Sequence, residues 1–157
     1  MRHIKASNDY SGKLYRVAIV VSLFNTEVTQ ELLRGALNRL HSVGIVDENI
    51  MVLEVPGAIE IPLATRRVLQ TKQWDVAITL GAVIRGETSH YDYVCQQVSH
   101  GVQQVSLELD IPVIFGVLTI ENEQQAWDRL GGEHGHKGEE AVDAALAVID
   151  VLTQLTS

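Results

Sequence analysis

The chain is short of the residues that would make it a disulfide-stapled, membrane-embedded or nucleic-acid-coating protein. Cys95 is its only cysteine, which excludes an internal disulfide and a cysteine-rich zinc site. Only three prolines occur, and no Pro/Ser-rich tract or low-complexity stretch divides the sequence. Lys and Arg total 12 against 20 for Asp and Glu, a formal charge of −8, so the basic face that a generic polyanion binder needs is missing. Unbroken apolar runs such as Val17–Val21 fall far short of the roughly 20 residues that span a bilayer. Met1–Tyr15 is polar and lacks the apolar core of a signal peptide. No G-x-G-x-x-G follows any strand-like run, which removes the main dinucleotide fingerprint. The reading is a soluble, cytoplasmic protein that binds neither nucleic acid nor membrane.

What is present is an ordinary globular composition, 46% apolar and 20% charged over 157 residues, enough to bury about two-thirds of the unfolded surface. One domain over residues 1–157 is expected, with residues 1–13 as a flexible or inter-subunit arm. Short β-branched runs alternate with helical ones. Tyr15–Ser22, Ile50–Val55, Val76–Ile84 and Pro112–Thr119 read as buried strands. Between them, Val28, Leu32, Leu33, Ala36, Leu37 and Leu40 recur at helical spacing after a cap at Asn25 or Thr26, and Gly44 ends that helix. Further helices run from Pro56-Gly57 to about Leu69, from His90 to Leu109, over Asn122–Leu130 and over Lys137–Leu155, the last two separated by a Gly-rich loop, Gly131–Gly138. This alternation implies right-handed βαβ units and a parallel sheet with helices on both faces. Eleven of the fifteen residues from Ala141 to Leu155 are apolar. Packing on a sheet uses only part of a helix's circumference, so a second copy of the chain is expected against the rest.

In open α/β sheets ligands bind outside the carboxyl ends of the strands, which directs attention to Ser22–Thr26, Val55–Glu60, Ala82–His90 and Phe115–Ile120. Gly81–Thr88 (GAVIRGET) nearly spells the triphosphate loop G-x-x-x-x-G-K-[ST], but Glu87 stands where that loop needs Lys. A single phosphate at the start of the following helix remains compatible, because free N–H groups and a partial positive charge favour an anion there. His90 lies in that first turn, with Thr88 and Ser89 as capping candidates. An imidazole there can accept and return a proton. Histidines at helix starts are also common surface residues; its place after a loop at a strand end sets this one apart. Glu60 serves either the dipole of its own helix or the hydroxyls of a ligand. Phe24 and Phe115, the only phenylalanines, serve either the core or stacking on a heterocycle. Arg129 and Lys137 flank GGEHGHKG and are either solvated charges or anion ligands. His134 and His136 form a lone H-x-H, too few ligands for zinc.

Taken in order, Phe24-Asn25, VPGAIEIP (Val55–Pro62), GAVIRGETSHYDYV (Gly81–Val94), FGVLT (Phe115–Thr119) and DRLGGEHGHKGEEA (Asp128–Ala141) resemble the 6,7-dimethyl-8-ribityllumazine synthase family, from about Leu14 to Leu155. The resemblance implies a three-layer, flavodoxin-like α/β fold with a four-stranded parallel sheet. It implies condensation of 5-amino-6-(D-ribitylamino)uracil with 3,4-dihydroxy-2-butanone 4-phosphate, the penultimate step of riboflavin biosynthesis, with no cofactor and no metal. By the same resemblance Phe24 would stack on the pyrimidine, and Ala58, Ile59 and Glu60 would hold the ribityl side. Ala82, Val83 and Ile84 would present backbone groups to the pyrimidine. Glu87 and Thr88 would shape the phosphate loop, helped by Arg129, with Lys137 a charged neighbour and His90 the proton-transfer residue. Phe115 is similar to a residue that reaches into a neighbouring subunit's site. The implied partners are further copies of the chain, as a pentamer, a decamer or a 60-subunit shell, and riboflavin synthase. Two positions depart from the family's usual pattern: His136 stands where Asn is common and Glu133 where a small or basic residue is. The other readings are a non-catalytic flavin- or lumazine-binding or shell-forming paralogue, and a receiver-type domain. The latter lacks its acidic cluster and phosphoacceptor Asp at the strand ends.

Overall fold

The computed structural model describes residues 1–156. Four strands, β1 (Val17–Ser22), β2 (Ile50–Val55), β3 (Val76–Ile84) and β4 (Val113–Ile120), form one sheet in the order β2-β1-β3-β4, and every neighbouring pair is parallel. The crossovers are α1 (Thr26–Ser42), α2 (Ile61–Leu69) and α3 (His90–Leu109). The short α4 (Glu123–Asp128) and the long α5 (Lys137–Thr156) follow β4. All residues of β1 and all but the last of β3 are buried, as continuous Val/Ile runs require of strands covered on both faces. One face packs Ile19, Val21, Ile78 and Leu80 against Leu32, Ala36 and Leu40 of α1 and Val142, Ala145 and Leu146 of α5. The other packs Ala18, Val20 and Ala77 against Ile61 and Val68 of α2 and Val98, Val102 and Val105 of α3. Fully burying one such side chain contributes about 1.5–3 kcal/mol. This is the three-layer, flavodoxin-like architecture read from the sequence.

One stretch folds differently from expectation. The Gly131–Gly138 segment is not an open loop: β5 (Leu130–Gly132) and β6 (Gly135–His136) form an antiparallel hairpin. Gly131 (φ 98°) and Gly135 (φ 74°) supply the left-handed turns that it needs. This shortens α4, whose start is fixed by the Asn122 side chain accepting from the Gln125 amide at 3.0 Å. The N-terminal residues lie along the last helix of their own chain. The Arg2 guanidinium donates to the Gln154 carbonyl at 3.1 Å, and Tyr10 and Tyr15 join the core. Asp150, which helical periodicity places in the polar stripe of α5, is 4% exposed. It accepts from the Ser7 amide at 2.8 Å and the Tyr15 hydroxyl at 3.0 Å. The Ser7 amide above all, with Tyr15 assisting, holds its carboxyl below the ordinary value against the effect of burial. The other flank of α5 leaves Leu152 and Leu155 exposed.

Candidate functional site

β3 is longer than its neighbour: the β1–β3 ladder ends at Val21–Leu80, whereas β3 runs on against β4 to Ile84. Past Leu80 the backbone on the β1 side has no strand partner, and this opening forms the floor of a cleft of about 350 Å³. Its walls come from Phe24, from the single 3-10 turn Ala58–Glu60, from Ala82–Ile84, and from Gly86, Thr88, His90, Tyr91 and Val94. The Asn25 side-chain amide donates to the Ala82 carbonyl at 3.1 Å. Ile84, two residues on, directs its own backbone groups the same way.

Asn25 is the N-cap of α1, but in a left-handed conformation (φ 62°) and with no side-chain cap bond, because its amide is used on Ala82. Asn tolerates that conformation better than most residues. Leu23 N–H donates to the Val55 carbonyl at 2.8 Å and Phe24 N–H to the Pro56 carbonyl at 3.0 Å. The Phe24 backbone is therefore fixed while its ring is 72% exposed at the rim. At the start of α3 the Thr88 hydroxyl accepts from the His90 amide at 3.3 Å, so Thr88 rather than Ser89 supplies the side-chain contact. Glu60 and His90 both line the cleft and are both exposed.

Gly81, the first glycine of GAVIRGET, does not belong to the loop. It is buried inside β3, where an added Cβ would lie 2.8 Å from Ser22 Oγ, so its role is close strand packing. Only Arg85 and the residues after it form the loop. Glu87 is exposed and lines neither this cleft nor the second one described below.

Phe115, Arg129 and Lys137 gather elsewhere, in a second cleft of about 400 Å³ on the β4 side, together with Thr119, His134 and Glu140. Lys137 N–H donates to the Arg129 carbonyl at 2.8 Å, so the two cations stand side by side at the base of the hairpin. Neither is ion-paired among the described residues. The Arg129 guanidinium donates to the Gln125 carbonyl at 2.9 Å, and a concave surface with two cations that no carboxylate neutralises suits an anion. His134 lines this cleft, whereas His136 is buried and does not, so the H-x-H pair does not converge. Among the described residues no cluster of three His, Cys, Asp or Glu is arranged for a metal ion.

Sequence reasoning missed Tyr91, Val94 and Arg85. The first two lie one helical turn apart on the face that α3 turns to the cleft, a signal the spacing carried. Burial, and then the neighbouring Cys95, push the Tyr91 phenol up, and burial likewise pushes the Cys95 thiol up. Both groups therefore stay protonated, and the thiol is a poor nucleophile. The Arg85 guanidinium lies 4.4 Å over the Tyr91 ring and pairs with Asp92 at 3.2 Å and Glu121 at 2.7 Å. It ties the loop to the end of β4, across a distance in sequence that no local pattern reveals.

A family model described as 6,7-dimethyl-8-ribityllumazine synthase matches residues 14–153. The chain belongs to the 6,7-dimethyl-8-ribityllumazine synthase family. A curated relative of that name from Coxiella burnetii (strain CbuG_Q212) is 50% identical over 141 residues, covering 90% of this chain and 93% of the relative. Another, from Protochlamydia amoebophila (strain UWE25), is 45% identical over 152 residues, covering 94% of this chain and 88% of the relative. The lumazine synthase family match spans both clefts, from Phe24 to Glu140. No helix among the described residues is long and apolar enough to cross a membrane.

Proposed function

We propose that the chain is a transferase that forms 6,7-dimethyl-8-ribityllumazine from 5-amino-6-(D-ribitylamino)uracil and 3,4-dihydroxy-2-butanone 4-phosphate. The observation that carries this reading is the cleft at the open end of β3, with Phe24 at its rim and His90 at the start of α3, in a chain of this family. The pyrimidine stacks on Phe24, with its edge on the backbone of Ala82–Ile84 and its ribityl chain toward Ala58–Glu60. The substrate's own amine attacks the butanone carbonyl and water leaves as the imine forms. A carbon-bound proton is lost as the C–O bond to phosphate breaks, tautomerisation follows, and the ribityl-bearing nitrogen closes on the remaining carbonyl with loss of a second water. Positioning of two reactants supplies much of the acceleration. His90 accepts and returns the protons of elimination and tautomerisation. The leaving phosphate is held by the loop at Gly86–Thr88 with Arg129, and Lys137 stands nearby.

The first cleft and the Phe115–Arg129–Lys137 cleft share no residue in one chain. The complete site therefore forms where the second cleft of one subunit meets the first cleft of the next, in a cytoplasmic pentamer. The uncovered flank of α5, with Leu152 and Leu155 exposed, supports further assembly to a decamer or shell, and riboflavin synthase takes the product. Mixing both substrates with the protein and following lumazine fluorescence tests the activity, and light scattering tests the assembly. Fluorescence growing with time supports the reading. Tight binding of lumazine without turnover would replace it with a non-catalytic binding protein.

A further inference from the structure

His136 is 8% exposed and packed between two helices. Its Nδ1 accepts from the Gly138 amide at 3.1 Å and the Glu139 amide at 3.4 Å, two otherwise unsatisfied donors at the start of α5. Those two bonds put the ring proton on Nε2, which faces Glu31 Oε1 at 3.4 Å. The ring fills a notch in α1 that exists only because residue 35 is glycine: a Cβ there would lie 2.0 Å from His136 Cε1. Residue 138 is held equally close, since a Cβ on Gly138 would lie 2.2 Å from the Leu32 carbonyl oxygen. His136 thus wedges the base of the β5–β6 hairpin into the α1–α5 groove. It pairs across the hairpin with Leu130, so its chain neighbour Lys137 and Leu130's neighbour Arg129 are brought together by the Lys137–Arg129 backbone bond.

We propose that His136 is a positioning residue for anion binding: by capping α5 and filling the Gly35 notch, it holds Arg129 and Lys137 at the spacing that receives the phosphate group. The proposal rests on the reading of the second cleft given above. It also explains why this position takes a side chain that can accept from the first amides of α5.

The test uses the full chain and inorganic phosphate as the probe, followed by titration calorimetry, alongside KM for each substrate and kcat. His136→Leu keeps bulk without an acceptor, His136→Asn keeps an acceptor of capping type, and His136→Ala keeps neither. Phosphate affinity is expected to fall roughly tenfold in His136→Leu and at least as far in His136→Ala, as for the loss of a charge-assisted contact. KM for the phosphorylated substrate should rise by the same factor, with KM for the pyrimidine and kcat unchanged, and His136→Asn should restore most of the loss. Unaltered phosphate affinity in His136→Leu, a parallel rise of both KM values, or no phosphate binding by the unmodified protein would each overturn the proposal. If His136→Ala fails to fold, the comparison of Leu with Asn decides alone. Absence of turnover in the unmodified protein would remove the proposed reaction but leave the phosphate titration as a separate readout.

Discussion

The two clefts of one chain are built in opposite ways. The first is made of strand ends: Phe24, Ala58–Glu60 and Ala82–Ile84 each sit where a strand gives out, and its polarity comes from the backbone, Glu60, Thr88, His90 and Tyr91. The second is made of charge, with Arg129, His134, Lys137 and Glu140 around Phe115 and Thr119. One suits a flat, mostly neutral heterocycle and the other an anion. The difference teaches that the fold supplies shape through its sheet and charge through an appendage, the hairpin after α4. The two can then fail independently.

The largest expected effect tests the first cleft. His90→Ala should lower kcat about 10²–10⁴-fold while leaving measurable turnover, because positioning survives; total loss in a protein that still binds both substrates would mean His90 does more than move protons. Arg129→Ala, on the other side, should raise KM for the phosphorylated substrate about 10–100-fold, the worth of a hydrogen bond to a charged group, with the pyrimidine KM unchanged. A normal KM would remove Arg129 from the phosphate site. Phe24→Ala should show the converse selectivity, a rise of about 3–10-fold in KM for the pyrimidine alone, from lost stacking. Initial-rate kinetics with each substrate varied in turn read all three.

The smallest effect on activity belongs to a residue in neither cleft. Asp150→Asn should leave both KM values intact and cost about 1–2 kcal/mol of stability near neutral pH, by loss of a charged acceptor. The folded-state carboxyl lies below its ordinary value, so its contribution is present above that ordinary value and is lost as pH falls through the depressed one. Denaturant melts of the two proteins should accordingly converge in acid. A gap independent of pH would break this account.

Much of the first cleft was legible because parallel sheets place ligands at strand ends and the runs were unambiguous: the strands Ile50–Val55 and Val76–Ile84 and the helix His90–Leu109 occupy the expected bounds. Phe115, Arg129 and Lys137 of the second cleft were singled out, but not that they gather away from the first. That separation depends on which face of β4 each element reaches. The hairpin was read as a loop because a few residues around two left-handed glycines carry no periodicity. The burial of Asp150 is not legible in the periodicity of α5, because its partners, Ser7 and Tyr15, stand more than a hundred residues away. Gly81 looked like part of a phosphate loop because spacing cannot distinguish a turn from a tightly packed strand.

Because the proposed site takes its neutral wall from one subunit and its cations from the next, two differently damaged proteins should rescue one another. Chains carrying His90→Ala and chains carrying Arg129→Ala, refolded together in equal amounts, would leave roughly a quarter of the junctions intact on both sides by random pairing in a ring. Complementation of this kind turns a spatial division within one chain into a genetic property of the assembly.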